Sequence, residues 1–261
     1  MPPSALSRAG RSRAARPCVV RATAVATAVR AVGLTTTLAL MAGLLAPGVA
    51  QASETATVRE ILDGDELYIN ERQAKVNDKA VAPQEVNTRN SRAQLSFASG
   101  AAGRLNRFSE LRLGSGCFLL AKGEVLVSGK QSGCTRSSRL SVRGTNYVLT
   151  VDDQGVSELS VLEGSVEVEP LKDGQPTGQP TTTVNAGERL RLSAAGVVLT
   201  LLRLSSGDYT SILKGPLFEG FRAPLPAFGS LESYIRSSIP GVPLPSLPAA
   251  PVPSFGFPRF F

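Results

Sequence analysis

Between Leu140 and Pro170 the chain reads LSVRGTNYVLTVDDQGVSELSVLEGSVEVEP, short alternations of apolar and polar residues interrupted by turn formers. A period of two marks strands with one buried face. Glu163-Gly164 separates two such runs, and glycine supplies the positive φ that a two-residue hairpin needs. That hairpin would set Val161 against Val166 and Leu159 against Val168 on one face. The break at Asp152-Asp153-Gln154-Gly155 has similar turn chemistry. A four-residue loop there would place Val151 opposite Val156 and Val148 opposite Leu159. Upstream, Leu140 and Val142 share one parity, whereas Tyr147, Leu149 and Val151 share the other. The switch falls at Gly144-Thr145 and predicts a bulge or sharp bend at Gly144. Backbone donors there could face a ligand, but the bend alone accounts for the glycine.

The same pattern extends both ways. Segments 56–62 and 66–70 flank Asp63-Gly64-Asp65, a hairpin or tight turn whose acidic residues lack the ligand spacing of a calcium loop. Residues 71–92 are polar and read mostly as loop. Short β segments then recur at 93–98, 103–107, 110–113, 117–121, 124–128 and 139–143. After a Gly/Pro loop at 171–180 they resume at 181–184, 189–192 and 197–204. Alternation points Leu190 and Leu192 inward and Arg189 and Arg191 to solvent. Such close turn signals predict an all-β sandwich, roll or short solenoid and argue against βαβ units. Leu140-Ser141-Val142 and Leu159-Ser160-Val161 recur 19 residues apart, as stacked rungs would.

Composition changes after Gly215: residues 216–261 hold 10 of the 18 prolines. The expectation is a β domain over 53–205 followed by an extended tail over 206–261. Within it, Ser230 caps a short helix at 230–239, with Leu231, Tyr234, Ile235 and Ile239 on one face. Proline cannot supply sheet donors, so the β core should not need this tail. Its terminal aromatics Phe257, Phe260 and Phe261 are candidate partner contacts, with folding back onto the domain or exposure as the alternatives.

The formal charge of +7 is uneven, because residues 1–52 carry six Arg and no acidic residue. Without them the balance is 22 basic against 21 acidic residues, a net of +1, which gives no nucleic-acid footprint. The Arg-rich start, the apolar run Ala31–Ala46 and the small residues Ala50 and Ala52 before Ser53 have the form of a signal peptide over 1–52. An uncleaved membrane anchor is the alternative, and would be the only membrane association. Cys18 lies in that segment, which leaves Cys117 and Cys134 for a disulfide in an oxidising compartment or as two buried thiols. The chain has no His, which removes His-based triads and His metal sites. Asp152 and Asp153 sit side by side on a turn and do not form a paired-carboxylate site. No cofactor or metal motif occurs.

Val142-Arg143-Gly144-Thr145-x-Tyr147, a strand, an acidic turn ending at Gly155, then Val161-Leu162-Glu163-Gly164-x-Val166-x-Val168 resembles the end of the FecR domain. That domain is the periplasmic part of bacterial iron-dicitrate regulators. Val86-Asn87-Thr88 through Ser91-Arg92-Ala93-Gln94-Leu95-Ser96-Phe97 resembles its beginning, so the likeness covers residues 56–192. It implies an exported all-β binding or signalling module, contacting a protein or envelope component, without catalysis. FecR regulators carry a cytoplasmic anti-sigma segment before their membrane span, and nothing here resembles it. A structural envelope protein and a membrane-anchored FecR-type regulator are the alternative functions.

Overall fold

The computed structural model describes residues 54–245. Six pairs of successive strands join across a bend that carries the chain from one sheet into the other, so each such pair forms one L-shaped ribbon. β1 (Thr55–Leu62) bends into β2 (Leu67–Ile69), followed by the short β3 (Arg72–Gln73) and β4 (Lys79–Val81). β5 (Glu85–Thr88) bends into β6 (Arg92–Phe97), and β7 (Ala102–Leu105) into β8 (Glu110–Leu113). β9 (Phe118–Gly129) is long enough to cross both arms, turning at Gly123 with φ +92°. After β10 (Gly133–Cys134), β11 (Ser138–Val142) bends into β12 (Thr145–Val151), and β13 (Ser157–Glu163) into β14 (Ser165–Lys172). β15 (Gln175–Pro176) is a short return, β16 (Thr182–Asn185) bends into β17 (Glu188–Leu192), and β18 (Val198–Arg203) ends the series.

Stacked side by side, the ribbons make two layers with matching strand order. Sheet A runs β4-β1-β6-β7-β9-β12-β13-β17-β18. Sheet B runs β3-β2-β5-β8-β9-β10-β11-β14-β16. Among the described strands only β9 and β10 pair in parallel. Leu95, Leu105, Val127, Tyr147 and Leu159 of sheet A meet Leu67, Leu111, Leu120, Leu140 and Val166 of sheet B in one dry core. The all-β expectation holds, in the form of a folded meander.

The local topology differs from the sequence reading at four places. Glu163-Gly164 is a corner, not a hairpin: β13 pairs with β12 and β17, while β14 pairs with β11 and β16. Val161 and Leu159 therefore face Val166 and Val168 across the core from the opposite sheet. The parity switch at Gly144 has the same cause, since the chain changes sheets there with φ +58°. The β12–β13 hairpin exists, but its register is Val151↔Ser157 and Leu149↔Leu159, one residue from the expected pairing. Asp152 Oδ1 accepts from the N–H groups of Gln154 and Val156, drawing Val156 into a five-residue loop. Finally, residues 71–92 hold β3, β4 and β5, and the two Leu-Ser-Val copies lie in different sheets, so they are not equivalent rungs.

The largest difference is at the C-terminal side. The described part of the expected tail is not extended. Helix α1 (Ser206–Leu213) is closed by a Ser205/Asp208 capping box, and helix α2 (Phe228–Ser238) follows at the predicted place. Its N-cap is Ala227, while Ser230 lies inside the first turn and donates to the Ala227 carbonyl. Leu213, Leu217, Phe218, Leu225, Leu231 and Ile235 pack on Ala102, Leu126, Val148 and Leu162. Those four alternate with core residues along β7, β9, β12 and β13, so they lie on the outer face of sheet A. Burying them is the physical reason this segment folds back.

Cys117 and Cys134 are bonded, at the place where β9 and β10 run in parallel. Cys117→Ala should lower stability by about 3 kcal/mol, the chain-entropy value for a loop of this size. Wild type under reductant should show the same loss in a denaturant melt. Identical midpoints with and without reductant would contradict it.

Candidate partner-binding surfaces

The outer face of sheet A mixes apolar residues with a polar row that reads the main chain of residues 216–227. Arg104, fully buried, donates from Nε to Gln94 Oε1 at 2.8 Å, from Nη1 to the Leu217 carbonyl at 3.1 Å and from Nη2 to the Ala223 carbonyl at 2.9 Å. Its guanidinium also lies over the Phe221 ring, 4.4 Å from the centroid. Burial pulls its pKa down to about 10, opposed by the nearby Glu60 carboxylate. Gln94 donates to the Pro224 carbonyl at 3.0 Å, and Glu60 accepts from the N–H groups of Arg222 and Ala223. Arg92 joins the row, donating to the carbonyls of Pro216 and Glu219. The arrangement holds a peptide segment, and that segment is the chain's own. It is therefore a filled site.

Arg92 is fixed from behind by Asp63, Nε to Oδ2 at 2.6 Å, and Arg107 reaches the same oxygen at 2.7 Å. The 63–65 bend is thus a sheet-crossing corner with a structural carboxylate. The hydrogen bond from Arg92 and the charges of both arginines hold the Asp63 carboxyl below its ordinary value of 3.8. A depressed carboxylate pKa stabilises the fold above 3.8, and that share is lost as pH falls through the lower native value. Asp63→Asn should therefore be less stable than wild type at pH 6, with the gap narrowing as pH falls below 3.8. A gap that stays constant down to pH 2 would rule this out.

The two ends of the sheet stack differ. At one end the edges are β3, two exposed residues, and β4, three residues with Lys79 and Val81 outward, followed by Pro83. Short, charged, proline-flanked edges resist further pairing. At the other end sheet B stops at the polar β16, while sheet A continues one strand further with β18. All six residues of β18 are exposed, and Val197, Val198, Leu199, Leu201 and Leu202 are 45–61% accessible. Among the described residues β18 has a strand partner on one side only, β17. It is an apolar strand whose second main-chain edge is unpaired among the described residues.

A third surface is a groove of about 820 Å³ on the outer side of sheet B, beside the disulfide, where Arg112, Arg136 and Arg139 surround Leu113, Leu119 and Leu171. Glu85 pairs with Arg112 at 3.2 Å and Glu169 with Arg139 at 3.5 Å, so the groove is nearly charge-balanced. It singles out no ligand.

The residues picked from sequence separate accordingly. Gly144, Thr145 and Gly164 meet at the two stacked corners, since a Cβ on Gly164 would lie 2.8 Å from the Gly144 carbonyl oxygen and 2.5 Å from Thr145 Cγ2. Gly155 closes the β12–β13 loop with φ +78°. Asp153 pairs with Lys122 at 2.6 Å while Asp152 caps the turn, so the two carboxylates diverge. Arg189 is half-buried and ion-paired, meeting Glu158 at 3.2 Å and Asp208 at 3.4 Å, while Arg191 is exposed as expected. Ala50, Ala52, Ser53, Phe257, Phe260 and Phe261 lie outside the described residues. Arg104 is not singled out by the sequence, and the strand expected at 197–204 is present as β18, but its exposed edge is not foreseen. Charged residues alternating with apolar ones on β6 and β7 hint at a covered face, and the Leu201-Leu202 doublet breaks the alternation of a strand with one solvated side.

No protein-family model matches the chain, and no curated protein does. Among solved structures, it is similar to a candidate anti-sigma factor from Parabacteroides distasonis, seen in crystals at 2.50 Å and 1.65 Å. Both comparisons give 17% identity and a TM-score of 0.40 over 50% of this chain. They span 64% and 65% of those chains, less than two thirds of their length.

Proposed function

We propose that this chain is a non-catalytic, exported FecR-like module that binds or signals through a protein or envelope component, with β18 as its docking strand. One observation carries the reading: an exposed apolar strand, open on one side, ends a stack whose other end is blunted. A strand of that kind binds by β-augmentation, in which main-chain hydrogen bonds supply affinity and alternate side chains supply specificity. The FecR-like motifs support the module class, because they fall on the corners and core strands of an all-β fold. The Cys117–Cys134 bond suits an oxidising compartment. No helix among the described residues is long and apolar enough to cross a membrane.

The test is capture from envelope extract on immobilised exported protein, wild type against Leu201→Lys. The variant should melt with wild type, because the side chain is exposed, yet lose the captured partner. Equal capture by both proteins would remove β18 from the reading.

A further inference from the structure

We infer that β18 pairs with β18 of a second copy of this chain, antiparallel, to form a two-fold dimer with a continuous sheet A. The inference rests on β18 being a docking edge and names its occupant. Three observations select a second copy.

The first is the asymmetry of the stack. A head-to-tail contact would join β18 of one copy to β4 of the next, but β4 is three residues long, with Lys79 outward and Pro83 just after it. That edge offers half the length of β18, with a lysine outward and a proline after it, and so makes a poor partner for a six-residue strand. What remains between copies is β18 against itself, an isologous contact that closes at two subunits and cannot grow into a fibre.

The second is charge. Across Val198–Arg203 the only ionisable side chain is Arg203, at the strand's end. Antiparallel self-pairing puts the two Arg203 side chains at opposite ends of the joined strands and sets Leu199, Leu201 and Leu202 against one another. No like charges meet, and the apolar side chains leave water together.

The third concerns the chain's own C-terminal residues beyond the described part. Residues 246–261 contain Pro248, Pro251, Pro253 and Pro258, and the longest run between prolines is Ser254–Phe257. Proline has no N–H for a ladder, so this segment can lie along the edge only in registers that turn its prolines outward, a restriction that a second β18, free of proline, does not carry.

Sedimentation equilibrium on the full exported chain at micromolar concentration should give twice the protomer mass. Amides of residues 198–203 should exchange more slowly as concentration rises. Leu199→Lys with Leu201→Lys should place like charges across the junction and raise the dimer dissociation constant about 100-fold or more, with an unchanged circular dichroism melt. A dimer that survives this pair of changes overturns the inference, because another surface then holds it. A monomeric wild type also overturns it, and one that dimerises only after residues 246–261 are removed shows that the chain's own end lies on β18. If wild type is monomeric while Leu201→Lys still abolishes envelope capture, self-pairing fails and the docking edge stands. If capture is also unchanged, both readings fail.

Discussion

Ending the chain after Gly215 should unfold the domain or lower its melting temperature by about 10–20 °C. The cut removes Leu217, Phe218, Phe221, Leu225, Leu231 and Ile235, all buried, each contributing roughly 1.5–3 kcal/mol of transfer free energy. It also strips the cover from Leu126, Val148 and Leu162, which then face water on sheet A. Ordering the segment opposes that gain, and the hydrogen bonds that Arg92, Gln94, Arg104 and Glu60 make with its main chain add to it. A net loss of about 5 kcal/mol is still comparable with the whole stability of a typical domain, and corresponds to the stated shift for this size. Ending the chain after Pro245 removes none of these contacts and should leave the melt within about 2 °C. A Gly215 truncation that melts alongside the Pro245 truncation would mean that the outer face of sheet A does not depend on its cover.

Gly164→Val should cost about 3 kcal/mol or more, whereas Gly144→Ala, at the neighbouring corner, should cost only about 1 kcal/mol. Both glycines have positive φ, +84° at Gly164 and +58° at Gly144, and an L-residue there costs roughly 1–2 kcal/mol. They differ in surroundings. A Cβ on Gly144 meets nothing within 4 Å, while one on Gly164 strikes the Gly144 carbonyl and comes within 3.2 Å of Thr145 Cα. Backbone cannot rotate aside as a flexible side chain can, so overpacking adds about 1–3 kcal/mol. Urea melts of the two variants give the comparison directly. Equal midpoints would show that the corners do not rest on one another.

The sequence shows where this chain turns but not into which sheet it turns. Glycine with alternating apolar neighbours is the same signal at a hairpin and at a corner, because the inward residues of both arms end in the core either way. Glu163-Gly164 therefore reads as a hairpin, and Asp63-Gly64-Asp65 as a hairpin or tight turn, although each joins different sheets. The disulfide was legible because only two cysteines follow the N-terminal segment. The β12–β13 register slipped by one since an Asp152 side chain, invisible to periodicity, claims Val156. The prolines after Gly215 make residues 206–261 read as an extended tail, yet in the described part the apolar side chains between those prolines decide the fold. Arg104 reads as solvent-facing by type, and only the segment seated above it explains a buried guanidinium bonded to carbonyls.

The seating of that segment also sets an order of events. Each ribbon of the meander touches the one before it, so the sheets can form progressively as the chain emerges. The cover cannot, because Arg92 must wait 124 residues for Pro216 and Arg104 must wait 113 for Leu217. Loop closure over such distances slows folding. Until it happens, the apolar strip on sheet A stands open beside a free edge strand, a combination prone to aggregation. A chain delivered from its N-terminus thus spends its vulnerable interval after its sheets exist and before its last helix arrives. A holding chaperone would find its binding surface in that interval, on β7, β9, β12 and β13, and would be displaced by the protein's own C-terminal side.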